Sequence, residues 1–319
     1  MNFDTVIEEI GDLIRGFVVR DGFIFKAIDE PANVFDALVI RNPLNTQCPL
    51  YSNLNPERSI EDHVEYINKN GIKKVLVIAE DIGFISHCPS ITKVQLIAVS
   101  AGEFDYSPLY DLPSLEALEI PSMPVAGITA KNSADYAQMK SLRSLKVSDT
   151  AEGVSNASEL RTLSVDGVKK GCSDMQSLFS GTKLSDLTIT NCGIKSLNGL
   201  EKETQLESLS LWYDRSLCDT ESIRSCAKTL KTLSIMNCPK ITDLSFLCEL
   251  RELEHLDLIG NNEIPCLDFL KAMPKLKHFN LGFNVLDGDL TPCLSVPYVN
   301  LEKARKHYNL KDSDLPKNL

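Results

Sequence analysis

Apolar residues recur along most of this chain in one local pattern: a large aliphatic residue, a second three positions on, and a third two positions after that. It is clearest at Leu253/Leu256/Leu258 and Leu276/Phe279/Leu281. Upstream it returns as Leu230/Leu233/Ile235, Leu206/Leu209/Leu211, Leu184/Leu187/Ile189, Leu160/Leu163/Val165, Leu142/Leu145/Val147 and Leu115/Leu118/Ile120, with weaker copies at Ile91/Val94/Leu96 and Ile72/Val75/Val77. First positions follow one another at intervals of 18 to 27 residues, and of 22 to 24 from Leu160 onward. Positions four and six lie two apart, so in an extended chain both side chains point to one face, while three, five and seven point to the other. One such coil cannot bury its apolar face alone, and stacking coil on coil is the physical solution. The pattern therefore predicts an α/β solenoid, right-handed, with a curved parallel sheet on its concave side.

The segments at either end differ. Phe3, Val6, Ile7, Ile10, Leu13 and Ile14 recur at helical spacing, which predicts an amphipathic helix over 4–14. Asp21-Gly22 between two β-prone runs predicts a hairpin. The Asn- and Pro-rich stretch from Arg41 to Arg58 reads as a long loop. A second helix is expected to start at Ser59, with Asp62 in the capping-box position, and to stop at Asn70-Gly71. These features assign 1–71 to an α+β N-terminal cap, 72–301 to ten or eleven coils, and 302–319 to a short C-terminal cap holding Lys303, Arg305, Lys306 and His307. The eleventh coil rests on Val296/Val299/Leu301, where Pro297 suits an edge strand. The return segments are too short for long helices, so 3₁₀ turns and short helices are expected there.

Asn261 and Asn284, at the ninth position of their copies, complete the signature L-x-x-L-x-L-x-x-N of a leucine-rich repeat, and Cys192 and Cys238 fill that position in two others. The run from Leu230 to Leu253, with Ile241-Thr242-Asp243-Leu244 at its centre, resembles the short repeats of bacterial internalins and of the leucine-rich regulator of protein phosphatase 1. That resemblance implies a non-enzymatic protein-binding scaffold.

Composition narrows the partner. Lysines and arginines number 33 against 44 aspartates and glutamates, a formal charge of −11, which argues against nucleic acid or an anionic membrane as partner and favours a neutral or basic protein or peptide. With no secretory signal and no apolar run long enough to span a bilayer, the chain as written is expected to be cytoplasmic. Its oligomeric state is left open. The ten cysteines contain no C-x-x-C pair and read as buried structural thiols, with a zinc or disulfide framework as the alternative.

No Walker loop, dinucleotide fingerprint, H-E-x-x-H or G-x-S-x-G occurs, and no cofactor is implied. His255 and His278 share the third position of adjacent copies and should lie side by side. Two ligand-facing histidines are the expectation, and a metal or catalytic pair the alternative. A further alternative gives the activity to 1–71, with the repeats as its address. Position seven gathers Trp212, Met236 and Ile259 in consecutive copies, with Tyr213 and Phe283 one position further along. Flanked by His255, Asp257, His278 and Asn280, they form the candidate binding face. Leu76, Ile78 and Ile97 are assigned to packing near the N-terminal cap.

Overall fold

The computed structural model describes residues 17–26, 37–42, 58–100, 102–121, 130, 132–149, 151–168 and 183–318. The helix expected over 4–14 lies outside them. The chain forms two compact units, 1–147 and 148–319, and the coils from Ile72 to Val147 lie in the same unit as the N-terminal segment.

In the first unit, β1 (Phe17–Arg20) and β2 (Phe23–Lys26) pair antiparallel across Asp21-Gly22, whose φ angles of 55° and 81° are those a two-residue hairpin turn requires. β3 (Ala37–Asn42) pairs antiparallel with β2 and parallel with β4 (Lys74–Ala79). Two expectations are corrected here. Arg41 and Asn42 belong to a strand, not to a loop, and the parallel sheet starts at β3, one crossover before Ile72. The crossover contains α1 (Ile60–Asn70), which begins and ends as its sequence predicts. The Ser59 hydroxyl accepts from the Asp62 N–H, the Asp62 carboxylate accepts from the Ser59 N–H, and Gly71 closes the helix at φ 62°. His63 and Ile67 are its buried contacts. β5 (Lys93–Ala98), β6 (Ala117–Ile120) and β7 (Ser144–Ser148) extend the sheet in parallel. Leu76, Ile78 and Ile97 are buried, as expected, in a cluster with Ile24 and Val39.

The second unit carries β8 (Thr162–Asp166), β9 (Asp186–Thr190), β10 (Ser208–Trp212), β11 (Thr232–Met236), β12 (His255–Ile259), β14 (His278–Leu281) and β16 (Tyr298–Leu301) in one parallel array. The short β13 (Glu263–Ile264) and β15 (Asn284–Val285) pair separately. Ile235, Leu258, Leu281 and Leu301 follow one another in register, as do Leu233, Leu256, Phe279 and Val299, and all are buried. Positions three to seven thus repeat with the pleat, with the apolar residues of positions four and six inward and the residues of positions three, five and seven outward. Return segments are 3₁₀ turns such as Leu200–Lys202, Glu221–Cys226, Ser245–Glu249 and Asp268–Ala272. β16 is the eleventh coil, and beyond it the C-terminal segment pairs antiparallel, with the Val299 N–H donating to the Pro316 carbonyl.

β8, β9, β10 and β11 leave the sheet through a left-handed residue at position eight. Gly167, Asn191, Tyr213 and Asn237 have φ of 70°, 52°, 56° and 52°. Their N–H groups donate to the position-seven carbonyls of Thr190, Trp212, Met236 and Ile259 in the next coil. Position nine then turns inward: the Cys192 thiol donates to the Val165 carbonyl and the Cys238 thiol to that of Leu211, while Asp214 accepts from the Ile194, Ser216 and Leu217 N–H groups. In the next two coils the sequence assignment is corrected. Gly260, at φ 143°, displaces the turn by one residue, so the buried side chain is Asn262, which donates to the Cys238 and Ile241 carbonyls, and Asn261 is exposed. Asn284 is only partly buried and donates to Glu263.

Candidate functional site

On the outward wall of the second unit, Trp212, Met236 and Ile259 are direct cross-strand neighbours on β10, β11 and β12. Each is partly buried, as are His255, Asp257, His278 and Asn280. The Trp212 indole N–H donates to the Ser234 hydroxyl at 3.0 Å, so the ring leans from its own strand across the wall and leaves Ser234 only 4% exposed. Tyr213 stands at the margin, 50% exposed.

Phe283 does not belong to this face. It is 1% exposed, because the Gly282 and Phe283 N–H groups both donate to the Leu258 carbonyl. This bulge at position seven reverses the alternation and turns Phe283 into the core. Its tip is crowded, since a Cβ on Gly282 would stand 3.1 Å from the Ile259 Cα and the neighbouring strand would have to give.

The two histidines meet as their spacing predicts. His255 and His278 pair across β12 and β14 and their rings stack with centroids 4.4 Å apart and planes 8° from parallel. Burial, and then the neighbouring His278 ring, hold the His255 pKa below the ordinary imidazole value. Below them, Asn280 donates to Asp257 at 2.6 Å. The row continues to Tyr298, whose ring lies 5.6 Å from that of His278 and itself carries the Lys317 ammonium 5.6 Å from its centroid. Sequence reasoning did not include Tyr298, although it occupies position three of the eleventh copy, the register shared by both histidines. Ser234 was missed because nothing local marks a serine as the acceptor of a tryptophan on the preceding strand.

Among the described residues no group of three or more histidine, cysteine, aspartate or glutamate side chains is arranged to hold a metal. The eight described cysteines are all free. Cys88, Cys192, Cys226, Cys238 and Cys293 are buried, and burial pushes the Cys238 thiol to about 11 and that of Cys293 to about 12. Cys218 and Cys248 are exposed on return segments, so the expectation of buried thiols fails for them. Among the described residues no helix is long and apolar enough to cross a membrane.

A family model for leucine-rich repeats, in two copies, matches residues 228–272. No curated protein matches the chain closely enough in sequence to count as a relative. Among solved structures, an internalin of Listeria monocytogenes is 17% identical, with 73% of this chain and 68% of that one covered and a TM-score of 0.51. A chain in the Toll–Spatzle complex of Drosophila is 11% identical with a TM-score of 0.55, and the match spans 95% of this chain but less than half, 43%, of that one. Repeat spacing, the in-register parallel strands and these similarities agree: the chain has the fold of a leucine-rich repeat protein of the short-repeat, internalin-like class.

Proposed function

We propose that the protein is a non-enzymatic interaction scaffold whose second unit grips a protein or peptide partner on its outward, concave wall. Trp212, Tyr213, Met236 and Ile259 are the anchors, and His255, Asp257, His278 and Asn280 form the hydrogen-bonding flank. A leucine-rich repeat fold is a general scaffold for protein interaction, which supports the class of activity. The face rests on one observation. From β8 to β11 position eight takes φ between 52° and 70°, a conformation cheap for glycine and asparagine and costly for larger side chains. Neighbouring coils place Gly167, Asn191 and Asn237 there, yet beside Trp212 the chain keeps an exposed tyrosine at φ 56°. Strain retained at an exposed aromatic, next to the only tryptophan in the chain, supports a role in contact with a partner.

The experiment is alanine substitution of Trp212 against a partner recovered by affinity capture with the intact chain. Binding is expected to weaken by about 2 kcal/mol or more, as for a central aromatic anchor. Unchanged affinity, with the far-ultraviolet spectrum preserved, would remove this wall from consideration.

A further inference from the structure

We infer that the partner segment received by this wall is cationic, a lysine- or arginine-bearing stretch of polypeptide; the inference rests on the wall being the binding face. In β8, β9, β10, β11, β12, β14 and β16, positions three, five and seven face outward, and none of them is lysine or arginine. They hold hydroxyls, amides, the two histidines, Gly282, the apolar anchors, and the carboxylates Asp166, Asp186, Asp257 and Glu302.

Of the cations beside the wall, Lys231 and Lys277 at position two are engaged with Glu207 at 2.8 Å and Glu254 at 2.5 Å, Arg161 at position two donates to the Lys183 carbonyl, and Lys317 stands over the Tyr298 ring and pairs with Asp312 at 2.7 Å. The first unit differs, since there position five carries Lys146, paired with Glu119. An approaching segment therefore meets a face with negative charge on both sides of Trp212, from β8 and β9 on one flank and β12 on the other, and no lysine or arginine at the outward positions of these strands. The π faces of Trp212 and Tyr213 attract cations as well. Like charges juxtaposed across an interface are unfavourable, so such a surface selects against acidic segments as well as favouring basic ones. Outside the wall the chain's surplus of acid, 44 against 33, adds long-range steering of the same sign.

Because Trp212 is the sole tryptophan, its emission reports on this wall and nowhere else. Three synthetic peptides repeating X-threonine-leucine, with X lysine, glutamine or glutamate, are titrated into the full chain while that emission is followed. The lysine peptide is expected to bind about tenfold or more tighter than the glutamine peptide, with the glutamate peptide weakest. In the double variant Asp186→Asn/Asp257→Asn the lysine peptide loses most of its advantage over the glutamine peptide. The control Glu249→Gln/Glu263→Gln removes the same charge away from the wall and leaves the lysine peptide in place.

Equal binding of lysine and glutamine peptides overturns the cationic assignment and leaves the wall as a partner site. An equal loss in the control variant also overturns it, because attraction is then a property of net charge. Emission unmoved by every peptide overturns the assignment and the binding wall together.

Discussion

At the scale of single residues, the wall is decided by which side chain occupies a left-handed turn. Tyr213 carries a conformational cost that Asn191 and Asn237, in the same place one coil away, do not. Tyr213→Asn is therefore expected to stabilise the protein by up to about 1 kcal/mol while weakening its partner's binding. Denaturant unfolding and a binding titration on the same variant check both halves. A variant that gains stability without losing affinity would make the strained tyrosine incidental. Asn262 shows the complementary rule, since a buried amide is tolerated because it donates to the Cys238 and Ile241 carbonyls.

Among elements, the end of the stack is the vulnerable one, because a final parallel strand presents an unpaired edge. Here β16 is covered by the C-terminal segment, and that segment is pinned at several points. Asn309 donates its N–H to the Gly288 carbonyl and accepts from the Leu290 N–H, and the Tyr308 hydroxyl accepts from the Val285 N–H and donates to the Phe283 carbonyl. Gly288 lies beneath it at φ 72°, and a Cβ there would overlap the His307 carbonyl oxygen. Gly288→Ala is expected to cost more than about 2 kcal/mol, through both positive φ and overlap. Hydrogen exchange should show the damage first at the amides of Val299 and Leu301, which donate to the Pro316 carbonyl and the Asp312 carboxylate. Loss of protection spread evenly over β8 to β16 would contradict this anchoring role.

For the whole molecule, stability should depend on pH through two histidines. Burial is the larger cause holding His63 below its usual pKa of 6.5, opposed by the Ser59 carbonyl, and burial followed by His278 does the same for His255. A depressed imidazole pKa means that the unfolded chain binds protons more readily than the folded one. Stability is then full above about pH 6.5 and falls as pH drops below that value toward the folded pKa values. Thermal unfolding is expected at lower temperature at pH 5 than at pH 7.5, with a smaller difference in His63→Gln if that variant folds. Proton-resolved titration of His255 provides the independent check. His278→Gln should raise its midpoint only in part, because burial remains, and a complete return to the ordinary value would reverse the order of the two causes.

Much of this was legible in the sequence. The 1-4-6 spacing determined the strands, their faces and their stacking, because pleat alternation and burial leave an apolar pair two residues apart only one way to point. Capping and turn chemistry likewise marked α1 and the β1–β2 hairpin, both of which depend on a few adjacent residues. What the tertiary structure alone decided are the places where one residue shifts the alternation. Gly260 moved the buried amide from Asn261 to Asn262, and the bulge at Gly282 sent Phe283 inward, because the carbonyl of Leu258 on the neighbouring strand accepts two N–H groups. The same holds for the Ser234 hydroxyl under Trp212, for Tyr298 beside His278, and for the strand at Arg41 and Asn42. Local pattern specifies which face a side chain takes, but a bulge, a cross-strand bond or an added edge is settled by a neighbour twenty or more residues away.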